Sequence, residues 1–355
     1  MPHATLEDRN FAVACYLTSL ALGETIKWQH IVHSTIVGYF KAYEKLLQNR
    51  TTISPDGTLT ALPYRYKKDY IGVILTALEK YEGVKDRCNM ITDTMMTFLH
   101  EHIQKEKDNS LPKALYDWIV LGRYTGHRCA EWCQTTKTTF RRLEDWPDQP
   151  AQAFLVTDFV FLNKSGRRLS HRQVLNGTHV HYVKITWRYQ KNGDHGQEIT
   201  YARDYANPAF CPVLAAVRII RRADSLQVPV NHPVAVYQHR NKKCYFITDG
   251  DVADILRLAA SAAHNIPAGD KTLNKWSSHS IRVTACNLLH RQMFSDSYIK
   301  NRLRWKSECF RDYLRNTFYS ANQHIIPLSS NNLPHIAGVD NQRQAEAHEA
   351  IMTQS

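Results

Sequence analysis

Tyr313 lies in a strongly basic stretch, RWKSECFRDYLRN, where its neighbours include Arg304, Lys306, Arg311 and Arg315. A buried core tyrosine needs an apolar environment and a partner for its hydroxyl, which this stretch does not offer. A free phenol has a pKa of about 10, and nearby cations favour its ionised form, which is a nucleophile. The stretch therefore predicts either an exposed basic helix face or a tyrosine that acts on an anionic group.

Two other stretches place an arginine beside a residue that could assist such a reaction. In TGHRCAEW, Arg128 and Glu131 are three residues apart and share a helix face, so the carboxylate can hold the guanidinium for contact with a phosphate. In HSIRVTACNLLH, His279 and Arg282 share a polar face opposite an apolar one. Taken alone, each pattern is more typical of an exposed polar helix face, and Trp305 alone is more typical of a core aromatic.

The charge of the chain favours an anionic partner. The 355 residues carry a net charge of +12, with 45 basic and 33 acidic residues. Residues 1–110 have no net charge, whereas residues 111–330 carry +14. A basic excess of this kind is most often used to bind nucleic acid, and it is concentrated in the part of the chain that contains the three stretches above.

The eight cysteines predict neither a zinc site nor a disulfide framework. No two of them form a CxxC pair, and although His127 lies near Cys129 and Cys133, no second group of ligands follows. We interpret them as reduced thiols of an intracellular protein. The apolar stretch FAVACYLTSLALG is too short for a membrane span and lacks the basic flank of a signal peptide, so we expect a core helix there.

The apolar periodicity predicts two domains and a tail. Residues 1–108 carry apolar residues at helical spacing in FAVACYLTSLAL, HSTIVGYFKAYEKLL, YIGVILTALEKYEGV and ITDTMMTFLHEHI, and the polar stretch that follows predicts a boundary. Residues 109–327 mix helices with β-like runs, FLVTDFVFL and THVHYVKITWRYQ, and Asn192-Gly193 predicts a hairpin. Residues 328–355 form a polar tail. The expected fold class is mainly α with a small antiparallel sheet.

The order and spacing of the motifs resemble the tyrosine recombinase, or phage-type integrase, family over about residues 1–325. TGHRCAEW resembles its first arginine box, HSIRVTA its HxxR box, and RWKSECFRDYLRN its nucleophile segment. The stretch RWKS before the tyrosine is similar to the corresponding stretch in integrases of eukaryotic mobile elements. The resemblance implies a helical core-binding domain that clamps DNA, over 1–108, followed by a catalytic domain over 109–327. It also implies that a C-terminal helix in 328–355 could exchange between protomers, although a frayed tail is an equal alternative.

The resemblance implies a role for each motif residue. Tyr313 would attack a DNA phosphodiester, with His279 as the general base. Arg128, Arg282 and the indole N–H of Trp305, which stands where many members have histidine, would stabilise the charge of the transition state. Glu131 would orient Arg128 without contacting the substrate.

The leaving 5′-oxygen needs a proton, which in the family a lysine at a hairpin tip supplies. Lys191 directly precedes Asn192-Gly193, so it is the predicted donor, and Lys184 is the alternative in mid-strand. Since arginines would bear the developing charge, we expect no metal and no cofactor. Arg302, Arg304 and Lys306 are predicted contacts to the DNA backbone.

The predicted function is therefore a site-specific DNA recombinase or integrase that acts through a 3′-phosphotyrosyl intermediate. Its expected partner is double-stranded DNA, on which it would assemble as a homotetramer, with no membrane association and a DNA-associated, intracellular location (the nucleus in a eukaryote). The alternative is a catalytically silent, domesticated DNA-binding protein, because residues 1–110 are neutral and Tyr313 follows Trp305 by eight residues where nine is common. A nicking and resealing topoisomerase shares the tyrosine chemistry, whereas a helix-turn-helix regulator does not explain the ordered motifs.

Overall fold

The computed structural model describes residues 6–24, 31, 33–48, 51–53, 59–61, 70–81, 87–133, 141–146, 151–177, 179–191 and 193–314. The chain divides into two compact units, Met1–Asp86 and Arg87–Ser355. The described residues are mainly helical with small antiparallel sheets, so the predicted fold class is confirmed. None of the described helices is long and apolar enough to cross a membrane. The predicted tail, 328–355, lies outside the described residues.

The described residues of the first unit form three helices and a short hairpin. The helices are α1 (Leu6–Leu22), α2 (His33–Gln48) and α3 (Tyr70–Tyr81), and the hairpin pairs β1 (Thr51–Ile53) with β2 (Leu59–Ala61). Their apolar side chains recur every three or four residues and bury against each other as the spacing predicts. This small core consists of Ala14, Leu17, Leu20, Ile36, Phe40, Ile71 and Leu75.

The next helix, α4 (Asp93–His102), packs in the second unit. The Thr92 side chain caps it by accepting from the Met95 backbone N–H at 3.3 Å. Met95, Met96 and Leu99 are fully buried in the main core of the second unit. The predicted domain boundary at 108 follows this helix, whereas the two compact units divide before it. The apolar face of α4, rather than the polar stretch after it, determines with which unit the helix packs.

The second unit contains a three-stranded antiparallel sheet in the order β3-β4-β5, formed by Phe159–Leu162, Tyr182–Trp187 and Gln197–Ala202. Alternate residues of β4 point inward, which fits its β-branched and aromatic composition. The predicted hairpin is present, but with a longer loop than a two-residue turn. Trp187 pairs with Gln197, and the Gly196 N–H donates to the Trp187 carbonyl at 2.8 Å, so residues 188–196 form the loop.

The described part of this unit also contains helices. They are α5 (Leu111–Thr125), α6 (Cys129–Trp132), α7 (His171–Asn176), α8 (Pro212–Ser225), α9 (Asp249–His264), α10 (His279–Arg291) and α11 (Asp296–Arg302), with a second small sheet of β6 (Val236–Gln238) and β7 (Cys244–Phe246). Helix α8 begins with Pro212, a residue that suits the first turn of a helix because no N–H donor is needed there. A short 3-10 helix, Glu308–Tyr313, is the last helix described.

Helix α5 is the centre of the unit and positions the residues that follow it. Its residues 114–122 are buried on all sides, as expected for a helix surrounded by α8, α9 and α10. A methyl group on Gly122 would overlap the Ile281 side chain of α10, so this glycine permits the two helices to approach closely. The helix ends at Gly126, whose φ of 54° is the left-handed conformation that glycine adopts without strain.

Candidate active site

The first arginine motif lies where the chain leaves α5. Arg128 is the N-cap residue of α6, and its Nη1 donates to Glu131 Oε1 at 2.9 Å. The Arg128 backbone N–H donates to the other carboxylate oxygen, also at 2.9 Å. The Arg128 side chain is 24% exposed while that of Glu131 is 2% exposed, so the carboxylate lies behind the guanidinium and leaves its outer side open to a ligand.

The second arginine, Arg282, is buried on α10. Its Nη1 donates to the Gly126 carbonyl and its Nη2 to the Leu303 carbonyl, the latter at 3.0 Å. Burial, and then the charges of Arg128 and Arg304, lower the pKa of Arg282 to about 9. The buried Nε atom has no hydrogen-bond partner among the described residues. Backbone carbonyls thus fix the orientation of a guanidinium whose charge is only partly compensated.

Tyr313 lies against the first residue of the same helix. Its Oη is 2.9 Å from His279 Nε2, a hydrogen bond that the phenol donates when that nitrogen carries no proton. The Asn287 side chain, which lies about one turn before the end of α10, donates to the Tyr313 carbonyl at 2.7 Å. The backbone of the tyrosine is therefore held by α10, and its hydroxyl faces the imidazole at a distance suited to proton transfer.

Trp305 connects the arginines to the tyrosine. Its ring lies 4.0 Å from the Arg282 guanidinium carbon and 5.9 Å from that of Arg128. The ring centroids of Trp305 and Tyr313 are 4.7 Å apart in an edge-to-face arrangement. The buried indole Nε1 has no acceptor among the described residues. Since buried N–H groups are nearly always paired, an acceptor from a ligand would complete this site.

The structure thus brings together five of the six predicted catalytic residues, Arg128, His279, Arg282, Trp305 and Tyr313, through direct contacts. Among the side chains that the structure describes, three guanidiniums, those of Arg128, Arg282 and Arg304, lie around the carboxylate of Glu131. This arrangement has an excess of positive charge in a partly buried place, which favours an anion such as a phosphate.

The sixth residue, Lys191, is exposed in the loop between β4 and β5. That loop borders the nucleophile segment, because Asp194 pairs with Lys306 at 2.8 Å, one residue after Trp305. The alternative, Lys184, lies on β4 and pairs with Glu198 of β5 at 2.7 Å. Its ammonium is therefore engaged within the sheet, and the assignment of the proton donor to Lys191 remains a prediction.

The predicted contacts to the DNA backbone differ in their positions. Lys306 is 58% exposed and Arg302 is partly exposed, with its Nη2 donating to the Thr200 carbonyl at 2.9 Å. Arg304 was wrongly interpreted as a surface cation. Its side chain is 0% exposed and pairs with the buried Glu131, and its backbone has a positive φ of 60°.

Sequence patterns did not indicate the residues that surround Glu131. Trp187 donates its indole N–H to Glu131 Oε2 at 3.2 Å, and Arg304 Nη2 donates to the same oxygen at 3.0 Å. Trp187 could have been found as an inward position of β4, by alternation from Val183 and Ile185. No spacing distinguishes Arg304 from its exposed neighbours. Among the described residues, no group of three or more His, Cys, Asp or Glu side chains is placed to hold a metal ion.

No family model and no curated protein matches the sequence. Solved structures that resemble the chain include the XerH site-specific recombinase bound to its difH substrate, with 12% identity, a TM-score of 0.47, and coverage of 89% of this chain and 69% of that one. The Tn1549 transposon integrase has 13% identity, a TM-score of 0.43, and coverage of 92% and 86%. Lambda integrase has 13% identity, a TM-score of 0.38, and coverage of 89% and 97%. These three solved structures are a site-specific recombinase and two integrases.

Proposed function

We propose that this protein is a DNA recombinase or integrase that cuts and rejoins DNA strands through a tyrosine nucleophile. One observation carries the proposal: the Tyr313 hydroxyl lies 2.9 Å from His279 Nε2, beside a tryptophan that contacts two arginines. A nucleophile, a base and cations that suit a phosphate are the parts that transfer of a phosphodiester to a side chain needs.

In the proposed cleavage step, the Tyr313 oxygen attacks the phosphorus and its proton passes to His279. The bond from Oη to phosphorus forms while the bond from phosphorus to the 5′-oxygen breaks. The product is a 3′-phosphotyrosyl link and a free 5′-hydroxyl. The phosphodiester is conserved as an ester of the protein, so a 5′-hydroxyl of another strand can reverse the step and join to it.

The arginines would stabilise the transition state. The attacked phosphorus gains a fifth oxygen neighbour, and negative charge accumulates on its non-bridging oxygens. Arg128 and Arg282 present planar, multidentate donors to those oxygens, and the indole N–H of Trp305 adds a neutral donor. Glu131 orients Arg128 from behind. Since guanidiniums supply the charge, this reaction does not require a metal ion or a cofactor.

Lys191 would protonate the 5′-oxygen as it leaves. It lies on the loop that is tied to the nucleophile segment by the Asp194 to Lys306 ion pair. A loop position permits the ammonium to move to the leaving group once DNA is bound. This role would make the strand cleavage depend on two proton transfers, one from Tyr313 and one from Lys191.

The proposed substrate is double-stranded DNA. The net charge of +14 in residues 111–330 supports binding to its phosphates, with Arg302 and Lys306 among the contacts. Exchange between two duplexes requires cleavage of two strands in each, hence four tyrosines, so we propose a homotetramer on paired sites. Such an enzyme acts within the cell where its DNA is, in the nucleus of a eukaryotic host.

A nicked suicide substrate tests the proposal. Loss of a short fragment after cleavage prevents rejoining, so the covalent complex accumulates and survives denaturant. DNA that flanks the gene supplies the first pool of sites. We expect wild type and the control Tyr298→Phe, a substitution of an exposed tyrosine on α11, to form the adduct, and Tyr313→Phe to form none. Tight DNA binding without an adduct on the true site would instead support the silent DNA-binding protein.

A further inference from the structure

Arg304 adopts a backbone conformation that is unusual for an arginine. Its φ is 60°, in the left-handed region that residues with a Cβ atom rarely occupy. It lies between Leu303, which is buried, and Trp305, which is partly buried, and its own side chain is 0% exposed. A buried cation in a disfavoured backbone conformation requires compensating contacts, and such residues concentrate at functional sites.

The contacts that the structure describes for this guanidinium lie in the candidate active site. Arg304 Nη2 donates to Glu131 Oε2 at 3.0 Å, and its Nη1 donates to the Thr125 carbonyl at 2.9 Å. The guanidinium carbon lies 3.8 Å from the centre of the Trp187 ring, in a cation–π contact. Trp187 in turn donates to the same Glu131 oxygen, at 3.2 Å. Arg304 is thus fixed by a carboxylate, a carbonyl and an aromatic face.

These contacts connect Arg304 to both arginines that would grip the phosphate. Because Glu131 Oε2 accepts from Arg304 and Trp187, its other oxygen is held in place to accept from Arg128 Nη1 at 2.9 Å. The Thr125 carbonyl directly precedes Gly126, whose carbonyl accepts from Arg282 Nη1. One buried side chain therefore fixes the acceptor for Arg128 and the chain segment that carries the acceptor for Arg282.

We propose that Arg304 is a positioning residue: it locks the Glu131 carboxylate and the end of α5, and through them holds Arg128 and Arg282 in the arrangement that receives the phosphate. This inference rests on the proposed function for its role in the reaction. It assigns to Arg304 no contact with DNA. Lysine would not replace it, because an ammonium cannot bond the carboxylate and the carbonyl in one plane while stacking on Trp187.

Arg222 offers a matched control in the same unit. It is also buried, its Nη2 donates to Asp117 Oδ2 at 2.6 Å, and its Nε donates to the Asp108 carbonyl at 3.1 Å. Asp117, like Glu131, is buried and serves a second arginine, Arg218. Arg222→Met therefore removes the same kind of interaction as Arg304→Met, but outside the candidate site.

The first readout is hydrogen exchange of segment 128–133 in the protein without DNA. We expect faster exchange there in Arg304→Met, because the Arg128 N–H loses a fixed acceptor, and unchanged exchange in Arg222→Met. If Arg304→Met does not fold, Arg304→Lys is measured in its place. Equal exchange of this segment in wild type and the folded variant would overturn the inference, whether or not the protein cleaves DNA.

The second readout is the rate of adduct formation with DNA at saturation. Displacement of the arginines by about 1 Å is expected to slow cleavage about 100-fold in Arg304→Met while DNA affinity is unchanged. Arg304→Lys should stay slow, and Arg222→Met should cleave as wild type once the fraction of folded protein is equal. Equal rates in Arg304→Met and Arg222→Met would overturn the inference. Absence of an adduct in wild type would refute the proposed function alone, since the exchange readout is independent of cleavage.

Discussion

Replacement of Glu131 by glutamine tests whether this carboxylate is the counter-ion of the candidate site. Glu131 is 2% exposed and accepts from Arg128, Trp187 and Arg304. Glutamine has nearly the same shape, but it is neutral and turns an NH₂ group toward donors that need an acceptor. The substitution therefore removes the Glu131 carboxylate as counter-ion of the buried Arg304 and removes at least one hydrogen bond of Arg128.

The magnitude follows from the exposure of the partners. Removal of one member of a buried ion pair costs about 3–5 kcal/mol, and the pair with Arg304, at 0% and 2% exposure, belongs to this class. The Arg128 side chain is 24% exposed and partly solvated, so loss of its ion pair with Glu131 adds about 1 kcal/mol or less. We expect the free energy of unfolding of the second unit to fall by about 3–6 kcal/mol in total, which lowers its Tm by about 6–24 °C.

Urea denaturation of wild type and Glu131→Gln measures this difference. Glu144→Gln is the control, because Glu144 is 58% exposed in its ion pair with Arg142 and should leave the stability unchanged. A loss below about 1 kcal/mol in Glu131→Gln would refute the reasoning, since it would mean that Arg304 does not depend on the carboxylate for its charge.

The remaining predictions concern protonation and packing. Burial, followed by the charges of Arg304 and Arg282, holds the pKa of His127 well below 6.5. As pH falls, the unfolded chain therefore protonates this histidine before the folded protein does, so the free energy of unfolding decreases below about pH 6.5, by up to about 1.4 kcal/mol per pH unit. In denaturation experiments at several pH values, His127→Gln should lose less stability over this range than wild type. Gly122→Ala should destabilise the second unit by about 1–3 kcal/mol, because the added methyl group overlaps α10. Gly38→Ala should stabilise the first unit by about 0.5–1 kcal/mol, because Gly38 lies on α2 with open space around it. Thermal unfolding measures both changes. Lys191→Met should slow cleavage by about 100-fold or more. A substrate with sulfur in place of the leaving 5′-oxygen should restore the rate of this variant, because a thiolate leaves without a proton. An equally slow Lys184→Met variant would contradict the assignment of Lys191 as the proton donor.

Periodicity predicted those parts of the molecule in which one face is apolar. In helix α10, Ile281 and Ala285 lie in the core as the pattern predicts and His279 is exposed at its start, but Arg282, which the pattern placed on the polar face with His279, is buried. Tyr313 forms a hydrogen bond with His279, which precedes it by 34 residues, and no local sequence pattern specifies this contact. The resemblance of three ordered motifs to one family, rather than any single motif, indicated that these residues would meet.

Two errors of the sequence interpretation have physical causes. Charge predicted a surface position for Arg304, but a left-handed backbone and a buried carboxylate place it inside. Asn192-Gly193 indicated a hairpin correctly, but not its nine-residue loop, which side-chain contacts stabilise, among them a bond from the Gln190 N–H to His195 Nδ1 at 3.0 Å. The position of Arg304 depends on a tertiary contact, and the length of the loop depends on local side-chain bonds that the Asn-Gly dipeptide does not specify.

Mass spectrometry of the covalent complex tests the central claim most directly. Protein trapped on a nicked substrate is digested with a nuclease and a protease, and the peptide that carries the nucleotide is sequenced. We expect the modification on the Tyr313 oxygen, joined to a 3′-phosphate, and its absence in Tyr313→Phe. Attachment to another residue, or to a 5′-phosphate, would contradict the account.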